Sequence, residues 1–184
     1  RRLLERRSAA PRATAIPRRT AEGPAPLSFA QERLWFIEQV TAGSAAYHIA
    51  EAFALEGGVD LDLLARSFEA VVRRHAALRT RFTLVDGAPV QVIGEPVELE
   101  LPLEELPDAA RGDSRAIERF LAVESRRPFD LETGPLFRVR CFRAEKGQRI
   151  LLVAMHHIVA DGWSLGVLFR ELEASYAALA GGSV

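Results

Sequence analysis

A single cysteine, Cys141, stands among the 184 residues, so no disulfide forms within the chain and nothing in it points to an oxidising compartment. Long apolar runs are missing too. The longest unbroken one, Ile150 to Met155, falls far short of the roughly 20 residues that cross a bilayer as a helix. Histidine is scarce, with four residues at 48, 75, 156 and 157, a scatter that disfavours the three or four ligands of a metal site. No secretory leader is visible and there is no initiator methionine, so the chain reads as cut from something longer. Internal repeats are absent. What remains, 48% hydrophobic and 27% charged, is the composition of one ordinary soluble globular domain, and the cytoplasm is the compartment expected for it.

The net charge of −1 conceals an asymmetry. Residues 1–20 hold seven arginines and one glutamate, a charge of +6, which leaves −7 for residues 21–184. An Arg-rich leader suits a transit peptide or a nucleic-acid arm. A helix end (RRLLERR) running into a solvated linker suits it better, because Pro11, Pro17, Gly23, Pro24 and Pro26 follow. The acidic remainder also argues against nucleic acid as a partner. Residues 1–25 are therefore expected to be an inter-domain linker, and residues 26–184 a folded unit.

That unit starts at a capping box. Ser28 and Gln31 are spaced so that each side chain satisfies a free backbone N–H at a helix start, and the helix should run to about Val40. Tyr47 to Leu55 reads as a strand. Asp60 caps a second helix reaching His75, with Leu63, Leu64, Phe68, Val71 and Val72 at helical spacing. Phe82 to Val85 and Pro89 to Ile93 flank Asp86-Gly87, a hairpin turn. A weaker strand is expected near Val97 to Leu101, and a helix from Ser114 to about Arg126, stopped before Pro128. Leu136 to Arg143 and Arg149 to His156 read as strands joined at Lys146-Gly147. A last helix, Ser164 to about Leu179, places Leu165, Leu168, Phe169, Leu172, Tyr176 and Leu179 on one face and ends at Gly181-Gly182. Helices interleaved with short strands make the fold class α/β, a mixed β-sheet packed with helices.

The chemistry concentrates in Met155-His156-His157-Ile158-Val159-Ala160-Asp161-Gly162-Trp163-Ser164. Side chains alternate along a strand, so His156 and His157 point to opposite faces and one of them at most meets a given cavity. An imidazole at a strand-to-helix junction is able to exchange a proton near neutral pH. Asp161 follows four residues after His157, and Gly162 permits a backbone shape that a side chain would forbid. From these residues alone, a catalytic pair, a metal site and a structural arrangement with Asp161 as a helix cap all remain open.

The string MHHIVADGWS resembles HHxxxDG, the signature of condensation domains in nonribosomal peptide synthetases. PLSFAQERLWF (Pro26 to Phe36) resembles that family's opening motif, and RHAALRTRF (Arg74 to Phe82) its second, RHxxLRTxF. The resemblance implies two chloramphenicol-acetyltransferase-like lobes around an active-site tunnel. This chain would be the linker and the N-terminal lobe, inactive without the C-terminal one. The implied reaction is amide bond formation between a donor thioester and an acceptor amine, both carried on the phosphopantetheine of carrier proteins. No cofactor is bound directly. Its partners would be donor and acceptor peptidyl carrier proteins and the adjacent synthetase domains, with no membrane.

By the same resemblance His157 faces the tunnel and contacts the attacking amine. Three roles stay open for it or its surroundings: a base, a positioning group, or, through the Gly162 N–H, a stabiliser of the tetrahedral oxyanion. His156 should sit in packing or a hydrogen bond. Asp161 is expected to be structural, buried and paired with Arg74 in preference to Arg79. His75 and Gln31 are expected in the scaffold, Trp35 and Trp163 in the core with Trp163 near the tunnel mouth, and Cys141 unreactive on its strand. The continuation DGWSLGVL resembles domains that join an L-donor to an L-acceptor. Epimerization relatives read closer to DGVSWRIL, and heterocyclization relatives carry DxxxxD. The alternative functions are a non-catalytic module that docks or recruits carrier proteins, or an epimerization-type relative.

Overall fold

The computed structural model describes residues 23–96 and 98–182. The Arg-rich segment before residue 23, and with it the expected helix end and linker, lies outside the described residues. The elements run β1 (Ala25–Pro26), α1 (Phe29–Val40), β2 (His48–Leu55), α2 (Leu61–Arg74), β3 (Thr80–Val85), β4 (Ala88–Ile93), β5 (Leu103–Glu105), α3 (Ser114–Ser125), β6 (Phe137–Arg143), β7 (Arg149–His156) and α4 (Gly162–Ala180). Short 3-10 turns lie between α2 and β3, between β5 and α3, and between β6 and β7.

Local chemistry accounts for most boundaries. Ser28 and Gln31 form the reciprocal capping box at the start of α1. The Asp60 carboxylate accepts from the N–H groups of Asp62 and Leu63 at the start of α2. Asp86 and Gly87 adopt positive φ (52° and 78°), the twist that lets a two-residue turn join β3 to β4.

Ala25–Pro26, where the expected linker meets the folded unit, pairs antiparallel with Gln91 and Val90 of β4, at a sheet edge where a proline's missing N–H costs nothing. One expectation needs correcting. The strand expected near Val97 to Leu101 lies further on, as β5. It forms there because Leu103, Glu104 and Glu105 pair in parallel with Cys141, Phe142 and Arg143 of β6. That pairing spans a connection that includes α3 and leaves no local signal.

The described strands form two sheets, β1-β4-β3 and β2-β7-β6-β5. In the larger sheet β7 is antiparallel to both β2 and β6, and helices cover both faces. Leu151, Val153 and Met155 face Phe68 and Val71 of α2 and Leu168 and Leu172 of α4 in the main core. Leu152 meets Phe142, Phe120 and Leu121 on the opposite face, under α3, and Ala154 meets Phe82, Phe129 and Leu136. Burial on both faces is why this segment reads as an unbroken apolar run and not as an alternation. α1 is unusual. Its inward stripe is Gln31, Leu34, Trp35 and Glu38, whereas Phe29, Phe36 and Val40 are exposed.

Candidate functional site

β7 delivers the histidine pair, and alternation separates the two rings. His156, its last residue, is 1% exposed. It lies on the sheet face shared with Ala154, edge-on to His48 (5.8 Å between centroids) and Phe129 (6.5 Å). Its Nδ1 accepts the backbone N–H of Ile158 at 3.1 Å. Burial pushes this imidazole down to about 4, with the neighbouring His48 and His157 adding to the effect, so at neutral pH the ring is uncharged. Burial likewise lowers His48, whose Nδ1 lies 3.3 Å from the Ser125 carbonyl.

His157 is exposed. Its backbone N–H donates to the Tyr47 carbonyl at 2.8 Å, which ties the turn to the start of β2. Its ring lines an open groove of about 580 Å³ between α1 and the start of α4, together with Gln31, Arg33, Tyr47, Asp161 and Ser164. Gln31 does two jobs. Its Oε1 accepts the Ser28 N–H at 2.9 Å, and its Nε2 donates to the Ile158 carbonyl at 3.4 Å, so the cap of α1 also braces the turn that carries His157. An accessible imidazole beside polar walls is placed to hydrogen-bond an incoming nucleophile or to accept its proton.

Asp161 departs from expectation. It is exposed, not buried, and does not pair with Arg74 or Arg79. Its Oδ1 caps α4, accepting from the Ser164 N–H at 2.8 Å and Oγ at 2.6 Å. Those bonds hold its carboxyl below the usual carboxylate range. The arginines are engaged elsewhere. Arg74, with its side chain 73% exposed, reaches Glu171 of α4 at 3.4 Å. Arg79 donates to the carbonyls of Val72 (3.1 Å), Arg73 (3.4 Å) and Gly94, so it joins the end of α2 to the loop after β4. A helix N-terminus supplies Asp161 with donors of its own, and its exposure to solvent removes the burial cost that a guanidinium partner would offset.

Gly162 is also corrected. Its φ is not in the left-handed region, and a Cβ built there meets nothing within 4 Å. The glycine leaves open surface at the first turn of α4. Trp163 is not core: it is 83% exposed and lines a smaller pocket of about 260 Å³ with His75, Leu78 and Val167. Trp35 does pack inward, near Phe82 and Phe129. In the RHAALRTRF block Leu78 and Phe82 are buried. His75 Nε2 meets Glu171 Oε2 at 2.8 Å, and Thr80 donates to the Ala76 carbonyl at 2.8 Å. Cys141 is buried, and burial pushes its thiol up. Among the described residues no group of three or more His, Cys, Asp or Glu is arranged to hold a metal ion, and no helix is long and apolar enough to cross a membrane.

Sequence reasoning missed Glu38, Tyr47 and Ser164. Glu38 left little signal, because the stripe it shares with Gln31, Leu34 and Trp35 turns inward while the apolar Phe29 and Phe36 point out. Tyr47 acts through its backbone and left no signal.

Residues 21–184 match the model of the condensation domain family. The chain belongs to that family. This condensation-domain chain is 44% identical over 154 residues to the chondramide synthase cmdD of Chondromyces crocatus, a match covering 83% of the chain and 4% of that protein. It is 41% identical over 164 residues to phosphinothricin tripeptide synthetase PhsC of Streptomyces viridochromogenes, covering 87% of the chain and 15% of that protein. Its fold superposes on the X-domain from teicoplanin biosynthesis with a TM-score of 0.77 at 27% identity, over 91% of this chain and 35% of that one. The first condensation domain of the CDA synthetase gives 0.75 at 22% identity, over 89% and 42%, a likeness of fold. The condensation-domain chain therefore spans a small part of its curated relatives, and about two-fifths or less of these solved chains.

Proposed function

We propose that residues 26–184 are the N-terminal lobe of a two-lobe condensation domain in a cytoplasmic nonribosomal peptide synthetase, with residues 1–25 as the linker preceding it. The domain joins two thioester-bound substrates. An acceptor amine, held on the phosphopantetheine of one carrier protein, attacks the donor thioester carbonyl on another. The C–N bond forms, the C–S bond breaks, the amine loses a proton and the donor carrier leaves as a thiol.

The observation that carries this reading is the separation of the histidine pair: His156 is dry and neutral, whereas His157 stands in the open groove. His157 contacts the attacking amine. An α-amine titrates at about 7.7–8.0, so a useful fraction is already neutral, and holding it in line with the carbonyl contributes alongside accepting its proton. Asp161 keeps the start of α4 in place beside it. The run DGWSLGVL supports an L-donor.

The test is a condensation assay of a two-lobe domain built on this chain, with donor and acceptor thioesters loaded on carrier proteins. His157→Ala is expected to lower turnover by roughly 10²-fold or more with unchanged thermal unfolding. Turnover retained at the native rate overturns the assignment.

A further inference from the structure

His156 has a second nitrogen that the packing leaves unaccounted for. Because Nδ1 accepts the Ile158 N–H, it carries no proton, and the proton of the neutral ring is on Nε2. That Nε2 is fully buried and within hydrogen-bond distance of nothing among the described residues. The nearest carboxylate is Glu38 of α1, with Oε2 at 3.8 Å. Glu38 is itself 9% exposed, and its Oε1 accepts the Gly43 N–H at 3.1 Å. A buried N–H donor without an acceptor is costly, and Glu38 Oε2, at 3.8 Å, is the carboxylate oxygen placed to relieve it. A small side-chain rotation closes the gap.

The consequence runs through the backbone to the next residue. The Nδ1 bond fixes the N–H of Ile158, and Val159 N–H donates to the His156 carbonyl at 3.1 Å. Together they form the turn on which His157 stands. The opposite tautomer would set an Nδ1–H against the Ile158 N–H, donor facing donor, and open that turn. We propose that Glu38 is a positioning residue for His157: its carboxylate accepts the His156 Nε2–H, holds that ring in the Nε2–H tautomer, and so keeps Nδ1 free to shape the turn that presents His157 to the groove. The link from positioning to turnover rests on the reading of His157 given above. The tautomer does not.

Two measurements on the two-lobe domain separate these. In ¹⁵N-histidine NMR, with His156 assigned by difference against His156→Gln, the native ring is expected to be protonated at Nε2. In Glu38→Leu, which removes the acceptor, the ring is expected to populate both tautomers, with kcat falling roughly tenfold to a hundredfold and KM little changed. Glu38→Gln keeps an acceptor oxygen and is expected to restore most of both. A native His156 protonated at Nδ1 overturns the proposal whether or not the variants fold. So does a folded Glu38→Leu with the tautomer and kcat of the native domain. If His157→Ala keeps native turnover while Glu38→Leu still scrambles the tautomer, the role of His157 fails and the Glu38–His156 contact stands.

Discussion

Asp161 Oδ1 accepts two hydrogen bonds from Ser164, one from its backbone N–H and one from its hydroxyl, and this makes the aspartate of the HHxxxDG run a helix cap. It lines the same groove as His157, yet both bonds go to the first turn of α4. A carboxylate occupied in this way braces the start of α4 beside the groove.

Stability should follow the cap and ignore the arginine. Asp161→Ala is expected to lower the melting temperature by about 2–4 °C, and Asp161→Asn to recover most of it, since Asn caps nearly as well. Arg74→Ala should fall within about 0.5 kcal/mol of native, because its contact with Glu171 is at the surface. Thermal unfolding of the two variants decides it. A larger loss for Arg74→Ala than for Asp161→Ala would restore the ion pair that the structure does not contain.

Gly162→Ala should leave the fold intact. No positive φ is required and the new Cβ meets nothing, so stability is expected to stay level or rise by up to about 0.5 kcal/mol through helix propensity. Urea unfolding checks this. A loss above about 1 kcal/mol would show that the backbone there needs glycine after all.

Burial of His156 predicts a pH slope. Its ordinary value is 6.5 and the folded value about 4. The unfolded chain therefore takes up a proton in that window and the folded chain does not. Stability is lost as pH falls from about 6.5 towards 4 and is fully present above, with a ceiling of about 3 kcal/mol. The charged and titratable groups around the ring are Glu38 from α1, His48 from β2, the adjacent His157, and Arg138 of β6, whose guanidinium stacks on Phe129. His48 is lowered as well and acts in the same direction. Urea unfolding at several pH values should give a shallower slope for His156→Gln than for the native chain. Equal slopes would assign the acid sensitivity to the carboxylates instead.

Legibility in the sequence followed the range of the interaction. Ser28 with Gln31, Asp60 with the N–H groups of Asp62 and Leu63, and the Asp86-Gly87 turn are contacts within three residues, and all are readable from the residue types alone. The long-range ones are not. β5 exists because of its parallel partner β6, so its own residues mark it poorly. The expectation of an arginine partner for Asp161 comes from the family resemblance, in agreement with the expense of an unpaired buried carboxylate, but the residue is exposed and that expense does not arise. Size alone suggests the core for Trp163, yet its place at the start of α4 turns it outward. α1 inverts the usual pattern, with Glu38 inside and Phe29 and Phe36 outside, so no apolar stripe announces which face carries the contact to His156.

Alternation along β7 alone required that His156 and His157 part company, because successive side chains of a strand leave opposite faces whatever surrounds them. Helix caps and the hairpin were equally inherent, being matters of backbone geometry over a few residues. Which imidazole is dry and which is wet was settled only by packing. Glu38, His48 and Phe129 arrive from separate parts of the chain to enclose His156, while Gln31 and Tyr47 brace a turn that leaves His157 facing open space. Burial and tautomer depend on that enclosure, and enclosure is a property of the assembled fold.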